Sequence, residues 1–349
     1  MPEFMDSYEQ LGMDEITHIL MAWYDVHRRD LPWRETSDPY AIWLSEVILQ
    51  QTRVAQGRDY YLRFLREFPT VESLAGADED RVMCLWQGLG YYSRARNLHA
   101  AARQVVAMGG FPTTFEGLRG LRGVGDYTAA AIASFAFGQD VAVVDGNVLR
   151  VVSRLFGIVD PIDTAAGKQL VASLTRQLLP VRQSARYNQA VMEFGALQCV
   201  PGHPDCVACP LAHRCMALAQ GLVAQLPVKS HRPKVTERWF NYFYVHDSRF
   251  MYIHKRTGRD IWHGLYELPL TEGEGEASPP LSQEGLEEAT FRFVRRVRHV
   301  LTHQIIHATL YEVVVPDPLP PSEAYNLIRI DDRDRYAFPR LIEILLPDD

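Results

Sequence analysis

Four of the five cysteines in this chain, Cys199, Cys206, Cys209 and Cys215, fall close together with six, two and five residues between them, while Cys84 stands alone. No other feature constrains the fold as much, because four thiolates drawn to one centre close a loop whatever the flanking chain prefers. In a reducing compartment such a cluster reads as a metal centre rather than a pair of disulfides. Four thiolates suit tetrahedral zinc or a four-iron, four-sulfur cluster. Structural zinc usually draws on two knuckles of about two to four residues, and only one gap here is that short. A clamp on a loop and a redox centre need the same ligands, so the spacing leaves that choice open.

No apolar run approaches the roughly 20 residues that span a bilayer. Residues 1–10 also lack the basic-then-apolar order of a secretion signal, and a cytoplasmic protein is expected. At 349 residues the chain exceeds a single hydrophobic core, which predicts two or three domains. With 47% hydrophobic and 23% charged residues, it is expected to fold rather than remain disordered. The net charge of -7 argues against a nucleic-acid binder when taken globally. Its distribution points the other way, since residues 81–122 carry Arg81, Arg94, Arg96, Arg103, Arg119 and Arg122 against the single acid Glu116. Such a stretch either follows a phosphate backbone or forms solvated helix faces.

Most of the first 220 residues read as short helices punctuated by Gly and Pro. Asp38-Pro39 is an N-cap followed by proline at the first helical position. Apolar residues recur at helical spacing from Tyr40 onward and again in 60–68, 98–106, 127–137, 148–156 and 190–197. Residues 228–234 read as a basic, proline-containing linker. Beyond it, 239–245, 250–254 and 308–315 favour strands, and 269–283 reads as an acidic loop. An α+β module is expected from about residue 237 to the end.

Three sites stand out within this frame. Glu46 lies in the apolar segment 42–52, Ile-Trp-Leu-Ser-Glu-Val-Ile-Leu-Gln-Gln-Thr. A carboxyl buried there is expensive unless paired or protonated, and burial raises its pKa toward the range of a proton donor. Asp145 precedes a helix in Val-Asp-Gly-Asn-Val, 144–148, where on the residues alone it is an N-cap. Residues 121–126, Leu-Arg-Gly-Val-Gly-Asp, join two helical stretches, and glycines at such a turn let backbone N–H groups approach a phosphate at the start of the second helix.

In their order over residues 31–269, these motifs resemble the MutY-type adenine DNA glycosylases of the helix-hairpin-helix, iron-sulfur, endonuclease III-like superfamily. The resemblance rests on Leu-Ser-Glu-Val followed by Gln-Gln-Thr around Glu46, on Asp-Gly-Asn-Val at Asp145, on the cysteine spacing with Pro210 and Leu211 after Cys209, and on the glycine hairpin. Arg122 departs from the hairpin, whose second position is usually proline. The resemblance implies one 4Fe-4S cluster on Cys199, Cys206, Cys209 and Cys215, ahead of zinc.

It further implies a mainly α catalytic region over residues 1–225, with a six-helix lobe at about 31–140 and an iron-sulfur lobe of 1–30 plus 141–225. A linker, 226–236, and a Nudix-like α+β lesion-recognition domain, 237–349, would follow. Glu46 would protonate a flipped adenine, and Asp145, with Asn147 in the same motif, would stabilise the sugar cation, electrostatically or through a transient covalent adduct. Tyr127 stands where bifunctional relatives have a Schiff-base lysine, which implies a monofunctional, hydrolytic enzyme. Trp33, Arg34 and Glu193 resemble the lining of the adenine pocket. Gln51 and Tyr91 resemble the wedge that enters the base stack, Thr52 and Leu89 beside them are further candidates for binding DNA, and Arg94, Arg96, Gly123 and Gly125 are candidate phosphate contacts.

Trp-His-Gly-Leu-Tyr-Glu-Leu-Pro, 262–269, resembles the start of the Nudix-like domain. Thr302 and His303 would sense the opposing base, where Leu301-Thr302-His303 replaces the more usual Phe-Ser-His. No Nudix metal box accompanies them, which disfavours a pyrophosphohydrolase. The implied partner is duplex DNA with adenine opposite 8-oxoguanine or guanine, bound by a monomer with no membrane attachment; protein partners are not implied. Two rivals remain at this point, a bifunctional glycosylase/lyase for oxidised pyrimidines and a non-catalytic lesion-binding scaffold.

Overall fold

A computed structural model describes residues 12–230, 235–275, 289–316 and 318–346. The helices of the first part are α1 (Met13–His27), α2 (Pro39–Leu49), α3 (Val54–Glu67), α4 (Val71–Ala75), α5 (Glu79–Trp86), α6 (Ser93–Ala107), α7 (Phe115–Arg119), α8 (Asp126–Phe135), α9 (Gly146–Leu155), α10 (Ala165–Gln177), α11 (Ser184–Leu197) and α12 (Met216–Ala219). Each helical stretch expected from the sequence falls on one of these. Asp38 caps α2 as its side chain accepts the Tyr40 N–H at 3.0 Å, with Pro39 at the first position. Residues 40–48 of α2 are all buried, the mark of a helix inside the core rather than on its surface. The expected helix 127–137 stops at Phe135, just before Gly138 turns left-handed at φ 63°.

Contacts divide the chain into two compact units, residues 1–65 with 103–232, and residues 66–102 with 233–349. In the first, α1, α9 and α11 bury Leu20, Val148, Val152, Phe156, Tyr187 and Phe194 against one another. Each such side chain contributes roughly 1.5–3 kcal/mol when fully buried. Helix α2 lies against α8, and α7 and α8 form the two arms of the glycine hairpin.

The second unit contains a seven-stranded mixed sheet built from β1 (Thr236–His246), β2 (Phe250–Lys255), β3 (Tyr266–Glu267), β4 (Leu270–Glu272), β5 (Thr290–Val300), β6 (Gln304–Val314) and β7 (Asn326–Arg329), in the order β3-β2-β1-β6-β5 with β4 on β1 and β7 on β2. Strands β1 and β6 run parallel along their whole length. Helix α13 (Arg340–Leu345) packs Leu341 and Leu345 among Phe240, Tyr242 and Leu310. Residues 66–102 are fastened to this sheet unit: Asp80 accepts from both Lys255 Nζ and the Tyr266 hydroxyl, and the Tyr92 hydroxyl donates to the Phe338 carbonyl.

The expected strands are all present. The acidic loop needs correction, because residues 270–272 form β4; residues 276–283 of it, like 231–234 of the linker, lie outside the described residues. Strand β5, arginine-rich and mostly exposed at the sheet edge, was not anticipated. A bulge at Phe293/Arg295 breaks its two-residue alternation, and that alternation is the signal a sequence reading needs. Among the described residues no helix is long and apolar enough to cross a membrane.

Candidate active site

Helices α2, α8, α9 and α11 and the turn at Pro32–Arg34 surround a cleft of about 210 Å³ in the first unit, lined by Trp33, Arg34, Glu46, Thr52, Tyr127, Asp145, Asn147 and Glu193 among others. Eight of the residues singled out in sequence are thereby brought to one place from five separated segments. Glu46 is 6% exposed, and its carboxylate accepts a short hydrogen bond from the Tyr127 hydroxyl. Burial pushes the Glu46 carboxyl up to about 7; the Tyr127 hydrogen bond and the charge of Arg34 oppose that rise, and the negative charge of Asp145 adds to it.

Asp145 is an N-cap and a lining residue of the cleft at once. Its Oδ1 accepts the Val148 N–H at 2.7 Å, starting α9, and its Oδ2 accepts the Asn147 side-chain amide at 2.8 Å. Burial raises its pKa, while the hydrogen bonds from Val148 and Asn147 and the charge of Arg150 favour the ionised form. Asn147 is held in turn by Arg150, whose Nη2 reaches Asn147 Oδ1 at 2.9 Å and whose Nε reaches the Cys199 carbonyl at 2.8 Å. A continuous run of hydrogen bonds therefore connects the cleft to the cysteine loop.

Glu193 is the third carboxylate of the cleft. Burial alone would raise it, but hydrogen bonds from Arg29 and Arg34 outweigh that and hold it at about 2. Arg29 meets it through Nε at 2.8 Å and Nη2 at 2.6 Å, and Arg34 through Nη1 at 3.1 Å and Nη2 at 2.8 Å. Bidentate pairing from two sides fixes both the charge and the orientation of Glu193. Arg29 escaped the sequence reading, although the Arg28-Arg29 pair directly before 31–34 was a usable signal. Arg150 escaped it too; its signal is the three-residue spacing from Asn147 on α9.

Cys199, Cys206, Cys209 and Cys215 line one cavity, and none of them is joined in a disulfide. Buried Arg154 donates from Nη1 to Cys199 Sγ at 3.4 Å and to the Val200 carbonyl at 2.8 Å, and from Nη2 to the Pro201 carbonyl at 2.9 Å. A guanidinium on the sulfur of a four-thiol set suits a centre whose ligands are thiolates. Among the described residues no three His, Cys, Asp or Glu side chains form a group that would hold a single ion.

The remaining candidates lie elsewhere. At the hairpin Gly123 has φ 74° and Gly125 begins α8 with nothing within 4 Å of where a Cβ would stand, so the turn is open to a large anion. Gln51 is exposed with a left-handed backbone, φ 58°. Leu89, Tyr91, Arg96, Thr302 and His303 line a pocket of about 560 Å³ in the second unit, where the Tyr91 hydroxyl and Thr302 Oγ1 are 2.6 Å apart.

Two of the phosphate candidates are turned to other work. Arg94 is half-buried over the Trp86 ring and donates to the Leu89 and Gly90 carbonyls at 3.2 Å, shaping the turn that carries Tyr91. Burial brings its pKa down to about 10. Arg96 donates to the His263 carbonyl, bracing the pocket wall. Spacing along a chain does not show such carbonyl contacts, which the structure adds to the charge seen in the sequence.

With this geometry in hand, residues 44–176 match the HhH-GPD superfamily of base excision DNA repair proteins, and residues 241–347 match a NUDIX domain. The solved structure of a thermostable thymine-DNA glycosylase is 28% identical and superimposes with a TM-score of 0.56, covering 60% of this chain and 97% of that one. An adenine DNA glycosylase of Mus musculus is 45% identical over 62% of this chain and 44% of its own length. One from Buchnera aphidicola subsp. Schizaphis graminum is 32% identical over 72% of this chain and 74% of its own length. This chain belongs to the adenine DNA glycosylase family.

The chain spans less than half the length of the mammalian members of the adenine DNA glycosylase family that it matches. Within this member, the HhH-GPD match takes in Glu46, Tyr127, Asp145 and Asn147. Arg29, Trp33, Arg34 and Glu193 fall outside it on either side, so the cleft is completed by α11 and by the segment before α2.

Proposed function

We propose that this chain is a monofunctional adenine DNA glycosylase that excises adenine opposite 8-oxoguanine or guanine in duplex DNA. The observation that carries the reading is a single cleft holding a carboxyl group poised near neutrality, Glu46, and a second, Asp145, held by donors that favour its ionised form. That division is what cleavage of a glycosidic bond requires. Glu46 gives its proton to the imidazole nitrogen of a flipped adenine, the bond from the base to the sugar C1′ breaks, and the electron pair leaves with the base. Asp145 faces the resulting oxocarbenium ion. A water adds to C1′ and its proton returns to the Glu46 carboxylate.

Tyr127 donates its hydroxyl proton to Glu46 and offers no amine for a Schiff base, so the product keeps its backbone intact. Glu193, fixed by Arg29 and Arg34, presents hydrogen-bonding groups to the edge of the base. In the second unit, Tyr91, Thr302 and His303 read the opposing purine. The organisation that goes with this reading has a catalytic region over 1–225, made of a six-helix lobe at about 31–140 and an iron-sulfur lobe, a linker at 226–236, and a lesion-recognition domain over 237–349.

The test is single-turnover incubation with adenine opposite 8-oxoguanine, adenine opposite guanine, and an oxidised-pyrimidine duplex, each analysed with and without alkali. Adenine release with strand breaks only after alkali is expected. Breaks without alkali on the pyrimidine lesion would establish the lyase instead.

The pH dependence follows from the two carboxyls. The proton donor must be protonated, so kcat/KM is expected to fall as pH rises through about 7, where Glu46 ionises. Asp145 must be ionised, so the rate is also expected to fall toward acid pH, with that limb displaced upward from an ordinary aspartate. A flat profile from pH 6 to 8 would remove Glu46 from the role of acid.

The four thiols fit a 4Fe-4S cluster on Cys199, Cys206, Cys209 and Cys215, which when bound closes the 199–215 loop and ties it to α9 through Arg154. The purified protein is expected to contain iron and acid-labile sulfide in equal amounts and no zinc. A Cys206→Ser variant is expected to lose iron, and zinc in its place at one ion per chain would overturn the assignment.

A further inference from the structure

Trp262 has a backbone that bulky residues avoid, with φ 59°, and its half-buried ring lines the same pocket as Tyr91 and Thr302. Such strain persists only where the surroundings over-determine it, and it gathers at ligand-binding sites. The surroundings here do so. Arg256 Nε donates to the Ile261 carbonyl at 3.0 Å, Arg256 Nη2 and Arg238 Nη2 each meet Asp260 at 2.8 Å, and the Gly264 N–H returns to the Arg256 carbonyl at 2.7 Å. Behind the indole stands Phe240, edge to face with centroids 6.2 Å apart, while His299 lies at 6.1 Å and a 58° tilt. The ring is thus held against the core and, half-buried, still contributes to the lining of the pocket. Leu301, on the facing turn, supplies only an aliphatic surface.

We propose that Trp262 is a specificity-determining residue whose indole is the π-surface that holds the oxidised purine while the hydroxyls of Tyr91 and Thr302 read it. The inference rests on the adenine-excision reading above and extends it to a residue outside the expected lesion-reading set. Stacking on an aromatic face accepts any base. Discrimination lies in the hydroxyl pair: both purines stack on the indole alike, and the oxidised one alone gains hydrogen bonds from being held within reach of Tyr91 and Thr302.

The test compares wild type, Trp262→Leu and Trp262→Phe in single-turnover excision of adenine opposite 8-oxoguanine and opposite guanine. Leucine keeps apolar bulk against Phe240 but has no π-face; phenylalanine restores one. Trp262→Leu is expected to lower the preference for the 8-oxoguanine duplex about tenfold, or about 1.4 kcal/mol, with the rate opposite guanine falling less than the rate opposite 8-oxoguanine and an unchanged melting temperature reporting correct folding. Trp262→Phe is expected to retain most of the preference. A preference that survives Trp262→Leu, or a loss that is equal on both duplexes, overturns the inference while leaving the adenine-excision reading intact. A wild type that excises no adenine overturns that reading and this inference with it.

Discussion

A Glu46→Gln protein is expected to bind an adenine mispair within about threefold of wild type and to release adenine at least about 10³-fold more slowly. Glutamine matches glutamate in shape, so α2 keeps its packing, and the amide oxygen still accepts from the Tyr127 hydroxyl. The substitution removes only the transferable proton. General acid catalysis contributes about 10²–10⁴-fold in typical cases, and the upper part of that range is expected here because an unprotonated purine must depart as an anion. The variant also replaces an expensive buried ionisable group with a neutral one, so its thermal stability should not fall. Excision by quenched single-turnover assay, read beside binding by anisotropy, decides the matter. Binding lost to the same degree as excision would make Glu46 an element of the fold rather than the acid.

For Asp145 the capping role and the chemical role separate by choice of substitution. Asparagine is as good an N-cap as aspartate, so Asp145→Asn should still accept the Val148 N–H and leave the melting temperature within a degree or two. Its neutral amide gives the sugar cation no charge, and excision should fall by about 10³-fold or more. Asp145→Ala should lose the same activity and in addition about 1 kcal/mol of stability, because α9 then begins without a cap. If asparagine retained activity within tenfold, the carboxylate charge would have no part in the reaction and Asp145 would be a cap alone.

How far the sequence reached can be read from individual residues. The helices, the hairpin and the principal strands were legible because their apolar periods are regular and their ends carry Gly, Pro and Asp. Glu46 stood out as an acid inside the apolar residues 42–52, but a buried structural glutamate was an equal reading until the resemblance of the surrounding motif decided between them. Asp145 was not separable from an ordinary N-cap on local chemistry, and the structure shows why: it is one. Arg29 and Arg150 went unnoticed because their work is done across 164 and 49 residues of separation, on Glu193 and the Cys199 carbonyl. Arg94 and Arg96 show the converse case, a visible charge with unseen contacts. Their charge was visible, but charge carries no direction, and both turn inward to hold backbone carbonyls. Trp262 was visible only as the first residue of the 262–269 motif, and its backbone was not, since the sign of φ is not written in a side chain.

The cleft holds three carboxyl groups of nearly the same intrinsic acidity. In place, Glu46 titrates near 7, Glu193 near 2, and Asp145 above its ordinary value. Nothing in the groups themselves distinguishes a proton reservoir from a fixed counter-charge or a structural anchor. The distinction comes from burial, which lifts Glu46 and Asp145, from the hydrogen bonds of Tyr127 and of the α9 cap, which moderate that rise, and from Arg29 and Arg34, which hold Glu193 down. The working pH of such an enzyme is therefore an inheritable property of the neighbours. Lineages living in more acidic or more alkaline interiors have a route to retune it by drift at the hydrogen-bond donors, with every carboxylate in the reaction left unchanged.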